Sequence, residues 1–246
     1  MSAMKKIAIW VLVAILIVGA GEVALRIIIP KQIAEAMRSQ FHLDAAHPVE
    51  VSTKGIALVS AVQGRIPDTR IHVPELPVGE GIVPDVVLHA HSAPFDPSKG
   101  EIEQGSMQLT FPADEMGTIL GLMAGDAWQS ATIENGEILV DSSFDVGGMQ
   151  IPISAAIAIT PGDANELQIS PELRENPDSP VSLDELLAMG GAELAQPSTV
   201  CMRDSLPQGF TITGVEVTAD GGLLVTVDLA PTILSDPAEM RAGTCD

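Results

Sequence analysis

Apolar residues fall in three patterns along the chain. First, a basic start, "MSAMKK", leads into a continuous apolar run, "IAIWVLVAILIVGAG", over residues 7–21. That layout is the one a secretory signal or signal-anchor needs. At ~1.5 Å per residue the run spans roughly 22 Å, against a hydrocarbon core of ~30 Å. Extension through Val23–Ile29 would complete a crossing, with Glu22 and Arg26 near the outer interface. Gly19-Ala20-Gly21 is small but no clear Ala-x-Ala site, so an anchor over residues 1–25 is expected to be retained rather than cleaved. Everything from residue 26 to 246 is then expected to be one extracytoplasmic domain, single-pass anchored, or secreted if the signal is removed.

The second pattern has helical spacing. In "EVALRIIIPKQIAEAMRSQFHL" (residues 22–43), Ile29, Ile33, Met37 and Phe41 recur every four residues, which predicts a helix entered through or kinked at Pro30. "GIALVSAVQGRIPDTRIHVPEL" (55–76) opens with a short apolar helical turn that Gly64 would end at the C′ position, followed by a strand.

Alternation of period two fills most of the remainder. Strands are expected at 85–96 and 100–112, around a hairpin at Asn135-Gly136 (130–145), at 148–160 and in "NELQISPE". Ile151, Ile153, Ala155, Ile157 and Ile159 share one face. Short helices are expected at 113–124 and at 182–190, the latter with Ser182 as N-cap and Glu185 closing a capping box. The last hairpin alternates cleanly through Leu223, Val225, Val227 and Leu229; its partner shifts phase at Gly214, a bulge signature that bends a strand. The pattern predicts an α+β protein built on a strongly curved antiparallel sheet, with helices to one side.

Composition narrows the function classes. Hydrophobic residues make up 46% and aromatics only 3%, with no Tyr, so the interior is aliphatic and Met-containing, without stacking platforms. Residues 1–100 carry nine Lys/Arg and nine Asp/Glu; residues 101–246 carry three and twenty-four, the whole of the −21 net charge. Such a field repels phosphate backbones, and nucleic acid is excluded as a partner. The two cysteines, Cys201 and Cys245, bracket the last hairpin. A disulfide clamping it fits an extracytoplasmic site, and closing that loop would contribute ~3–4 kcal/mol; a pair of buried thiols is the alternative. A metal half-site lacks a CxxC or a nearby His.

Catalytic chemistry is not written in the chain. GxSxG, HExxH, P-loop, GxGxxG and EF-hand patterns do not occur. His89 and His91 lie two apart on a strand with no identifiable third ligand. Asp141 and Asp145, four apart, would stand ~13 Å from each other on a strand, too far for a glycosidase pair. Neither a cofactor nor a metal is expected.

The ordered set of "PKQIAEAMRSQF", "IALVSAVQGRIPDTRIHV", "MQLTFPADEMGTILG" and "TVCMRDSLPQGFTITGVEVTADGGLLV…AGTC" resembles the LmeA-like phospholipid-binding proteins of actinobacterial cell envelopes. The resemblance implies a tubular lipid-binding fold: a highly curved sheet wrapped around a long amphipathic helix, with an apolar groove for acyl chains. It implies non-catalytic binding, transfer or presentation of phospholipids or related glycolipids that supports envelope lipoglycan maturation. Expected groove residues are Ile33, Met37, Phe41, Ile56, Val59, Val62, Ile71, Val73, Met107, Leu109, Ile153 and Ile157. Arg65 and Arg70 are headgroup candidates, because basic residues are rare beyond them. The competing readings are a membrane-anchored scaffold for envelope enzymes, which predicts a filled core, and a glycan-processing enzyme, which needs converging carboxylates.

Overall fold

The computed structural model describes residues 3–78, 81–96, 99–119, 130–134, 136–146, 148–191 and 195–245. The chain is α+β and mostly antiparallel, with eleven named strands and few helices among the described residues. Contacts divide it into two compact units. The first comprises Met1–Pro74, Val87–Ser106 and Leu229–Pro237; the second comprises Glu75–Val86, Met107–Asp228 and Ala238–Asp246.

In the first unit, helix α1 (Ala3–Gln40) runs unbroken through Pro30, whose missing N–H and ring normally break or kink a helix interior. It packs against β1 (Glu50–Thr53) and α2 (Ala57–Gln63). The helix ends before Phe41, which is exposed in the following turn. The side chains of residues 1–17 lie outside the described residues, and with them most of the apolar run. Among the described residues no helix is long and apolar enough to cross a membrane, so the structure lends the expected anchor no support.

Gly64 ends α2 with φ 69°, a left-handed conformation that a Cβ disfavours, and β2 (Arg65–Val73) begins at the next residue. This is the C′ role expected of it. Strand β1 pairs antiparallel with β2, Val51 opposite Ile71 and Ser52 opposite Arg70. Next in order come β3 (Asp85–Pro94) and β4 (Glu103–Phe111). Buried here are Ala34, Ala57, Val73, Ile102 and Ile233, together with Ser60 and Thr69.

The second unit holds the end of β4, hydrogen-bonded to β11 (Leu223–Leu229), which pairs in turn with β10 (Phe210–Val217). A separate sheet runs β5 (Ser130–Glu134), β6 (Glu137–Val146), β7 (Met149–Pro161), β8 (Glu166–Arg174) and β9 (Ser198–Cys201). Gly136, at φ 81°, turns the β5–β6 hairpin as expected. The alternation in β7 is decisive: Ile151, Ile153, Ala155 and Ile159 are buried, with Phe144 opposite Ile151 and Val140 opposite Ala155. Strand β10 packs on β7.

Helix α3 (Leu183–Ala188) starts with the expected capping box. The Glu185 N–H donates to Ser182 Oγ, and the Ser182 N–H donates back to Glu185 Oε2 at 3.0 Å. The Ser182 N–H and the Ser182 hydroxyl, each 3.0 Å from Glu185 Oε2, hold the Glu185 carboxyl below its usual range. One expectation needs correction. Residues 113–124 do not open as an α-helix: Ala113–Glu115 is a 3₁₀ turn after Pro112, and α-helical backbone follows only at 116–119. Residues 120–124 lie outside the described residues. Cys201 and Cys245 form the disulfide, 6.0 Å apart at Cα, and tie the end of β9 to the chain end.

Candidate functional site

The expected site residues do not gather in one described cavity. Eight of the twelve groove candidates belong to the first unit and four to the second. Val73 and Ile153 are buried core positions, while Ile33, Met37, Ile71, Met107, Leu109 and Ile157 are half-buried. Phe41, Ile56, Val59 and Val62 are exposed.

Three clefts contain a candidate each. In the second unit, Ile138, Ala156, Ile157, Ile159, Val215, Val217 and Leu223 line a cleft of about 270 Å³, with Glu137 and Glu172 among its polar residues. Its walls come from β6, β7, β8, β10 and β11, and the apolar alternation of these strands is what makes it greasy. It sits at the lower edge of ordinary small-molecule pockets, about 300–1,000 Å³.

Arg70 lies in a first-unit cleft of about 290 Å³ with Glu50, Val51, Ser52, His72 and Val87. It is exposed, and among the described residues no ion pair holds it. An uncommitted guanidinium is what phosphate recognition requires. Arg65 differs. It opens onto a polar cleft of about 420 Å³, but its donors are already engaged. Its Nε donates to Ser92 Oγ at 2.6 Å, and its Nη2 reaches the Glu101 carbonyl and the Glu103 carboxylate, both at 3.1 Å. Arg65 therefore stitches β2 to β3 and β4, and of the two headgroup candidates only Arg70 is free.

Of the polar groups weighed for chemistry, His89, Asp141 and Asp145 have structural partners. His89 Nε2 lies 2.7 Å from Asp68 Oδ1, and Lys54 sits 3.1 Å from the other oxygen of the same carboxylate. The His89 contact, then that from Lys54, holds the Asp68 carboxyl below its usual range. Asp141 accepts from the hydroxyls of Ser130 and Ser154 at 3.0 and 2.6 Å, and Asp145 accepts from the Gly148 N–H. No group of three metal-ligating side chains occurs among the described residues.

Two arrangements were not legible in the sequence. Glu22 accepts hydrogen bonds from the N–H groups of Ala57 and Leu58, at 3.0 and 2.8 Å, and so caps α2 from α1. Arg26 bonds Glu22 at 2.7 Å and the Gly55 carbonyl at 3.0 Å. These residues are thus not simply interfacial side chains: they bolt the two helices together. In the second unit Asn165, at φ 62°, accepts from the Ile212 N–H and donates to the Phe210 carbonyl, joining the turn before β8 to β10. Only the tolerance of Asn for left-handed backbone offered a hint.

A model of one protein family, described as LmeA-like phospholipid-binding, matches residues 20–227. The chain belongs to that family. The match begins at the α1 turn that carries Glu22 and takes in α2, Arg70 and the apolar cleft of the second unit. No curated protein and no solved structure gave a significant match.

Proposed function

We propose that this LmeA-like protein binds the acyl chains of phospholipids or related envelope glycolipids without catalysis, on the extracytoplasmic side of a membrane, held there by the apolar segment at its N-terminus. Binding serves transfer or presentation of the lipid to envelope lipoglycan maturation. The observation that carries the reading is the family match over residues 20–227. The apolar cleft around Ile157 and the free guanidinium of Arg70 supply matching chemistry. Each methylene moved from water into such a surface contributes ~0.8 kcal/mol, so affinity follows from chain length and not from polar specificity.

The test uses the full chain in vesicles doped with a photoactivatable phosphatidylcholine whose reactive group sits on the acyl chain. Labelled peptides from β7 or β10 are expected after illumination. Labelling confined to the apolar run and α2, with none on the strands, would overturn the reading and favour a scaffold that binds no lipid in its body.

A further inference from the structure

Among the described residues, helix α2 and the residue before it present an apolar face to no partner. Ile56, Val59 and Val62, spaced by three residues, are 58, 48 and 86% exposed. Ala57 and Ser60, on the opposite side, are buried. Two aliphatic side chains on the seven residues of α2 and a third on the residue just before it form an exposed patch rather than scattered surface hydrophobes. Val18, Val23, Ile27 and Ile28 of α1, to which α2 is fastened, are exposed as well.

The fastening point decides what covers this face. The apolar run ends at Gly21; the next residue, Glu22, holds the N-terminus of α2 through two backbone N–H groups, and Leu58 lies against Gly21. A helix tied to the residue where an apolar segment ends sits at the level where that segment leaves the bilayer. Charge agrees. The first unit has nine Lys/Arg and nine Asp/Glu, whereas the second has three and twenty-four. Only the first approaches an anionic lipid surface without a large repulsive field. Around the patch, the side chains of Arg26 and Lys54 are themselves largely exposed, as suits cations at the headgroup level.

We infer that α2 is an interfacial membrane-docking helix, lying in the plane of the bilayer surface with Ile56, Val59 and Val62 inserted among the lipids. This rests on the N-terminal segment being membrane-inserted. It goes beyond anchoring, because it fixes the orientation of the first unit on the membrane. The Glu22–Arg26 bolt transmits the anchor's position to α2, and α2 packs on β2, the strand that carries Arg70.

Val62→Cys in the full chain, labelled with an environment-sensitive fluorophore, tests this in vesicles of phosphatidylcholine and phosphatidylglycerol. The native cysteines are joined in the disulfide, so the new thiol alone reacts. Alkaline extraction first reports whether the chain stays with the lipid. With the chain retained, emission is expected to fall roughly twofold when the vesicles carry a nitroxide near the headgroup end of the acyl chain, since interfacial helices sit ~5–10 Å into that boundary. Aqueous iodide is expected to lose most of its quenching when vesicles are added. A chain retained but quenched by iodide and not by lipid nitroxide overturns the docking while leaving the anchor standing. Release by alkali overturns both. A Val62→Cys dimer trapped by oxidation in place of lipid quenching assigns the face to a second copy and also overturns the proposal.

Discussion

The two units of this chain are held together by different forces, although both are built on antiparallel strands. The first is stitched by charge: Glu22 and Arg26 join α1 to α2, Arg65 joins β2 to β3 and β4, and Asp68 gathers Lys54 and His89. Arg38 adds a bond to the His47 carbonyl at 2.9 Å. The second unit holds the whole acidic excess; Arg174 pairs with Glu137 and Glu172 and Arg203 with Glu166, and the rest of the unit relies on aliphatic alternation in β6, β7 and β8, one disulfide and Asn165. The physical reason is the supply of residues. With twenty-four carboxylates and three cations, the second unit has few opposite charges to pair. Apolar burial, which is indifferent to sign, takes over. The first unit, with balanced charges and exposed aliphatics on its helices, uses ion pairs to position elements whose apolar faces are left open.

This contrast breaks most sharply in the second unit. Ile151→Ala removes a fully buried side chain opposite Phe144 and is expected to destabilise by about 2–5 kcal/mol. Hydrogen exchange should accelerate in β6, β7 and β8, with β2 and β3 much less affected. Uniform acceleration would show that the units unfold as one and that the contrast has no energetic meaning.

A middle-sized effect is expected from Arg65→Met. The stem is kept, but the Ser92, Glu101 and Glu103 acceptors lose their donor, at a cost of ~1–3 kcal/mol. Chemical denaturation should report the loss, with exchange quickening in β2–β4. An unchanged midpoint would mean water replaces the guanidinium fully.

The smallest effect concerns pH. Because the folded Asp68 carboxyl titrates below its ordinary value of 3.8, its contribution is present above that value and is lost as pH falls through the lowered folded one. Asp68→Asn should therefore flatten part of the acid limb of the stability curve below about pH 4 while lowering stability slightly at neutral pH. An identical acid limb in the variant would remove the Lys54–Asp68–His89 cluster from the stabilising set.

Much of the fold was legible because short-range physics wrote it. The Ser182–Glu185 capping box, the left-handed Gly64 and Gly136, and the alternation of β7 and β11 depend on residues within a few positions of each other. The candidate site was less legible. Ile71 and Val73, or Ile153 and Ile157, lie two or four apart in equally apolar strands, yet Val73 and Ile153 are core while Ile71 and Ile157 keep part of their surface open. Arg65 and Arg70 carry the same group five positions apart on β2. Periodicity assigns a residue to a face, not to an occupant of that face. Glu22 and Ala57 are thirty-five residues apart, and no local signal links a carboxylate to a helix N-terminus at that distance.

The sequence by itself determined most element types, though not the 3₁₀ turn at Ala113–Glu115, and with them their order, the antiparallel class, the charge asymmetry and, through the ordered motifs, the phospholipid-binding family. Those follow from side-chain period, turn chemistry and composition, all read along the chain. Only the tertiary structure decided that Arg65 is spent and Arg70 free, that Asn165 locks β10, and that α2 is bolted to α1 with its aliphatic face outward. Each of these depends on which long-range neighbour claims a hydrogen bond or a buried surface. That choice belongs to the folded chain, because a donor or an apolar face has no preferred partner until packing brings one within reach.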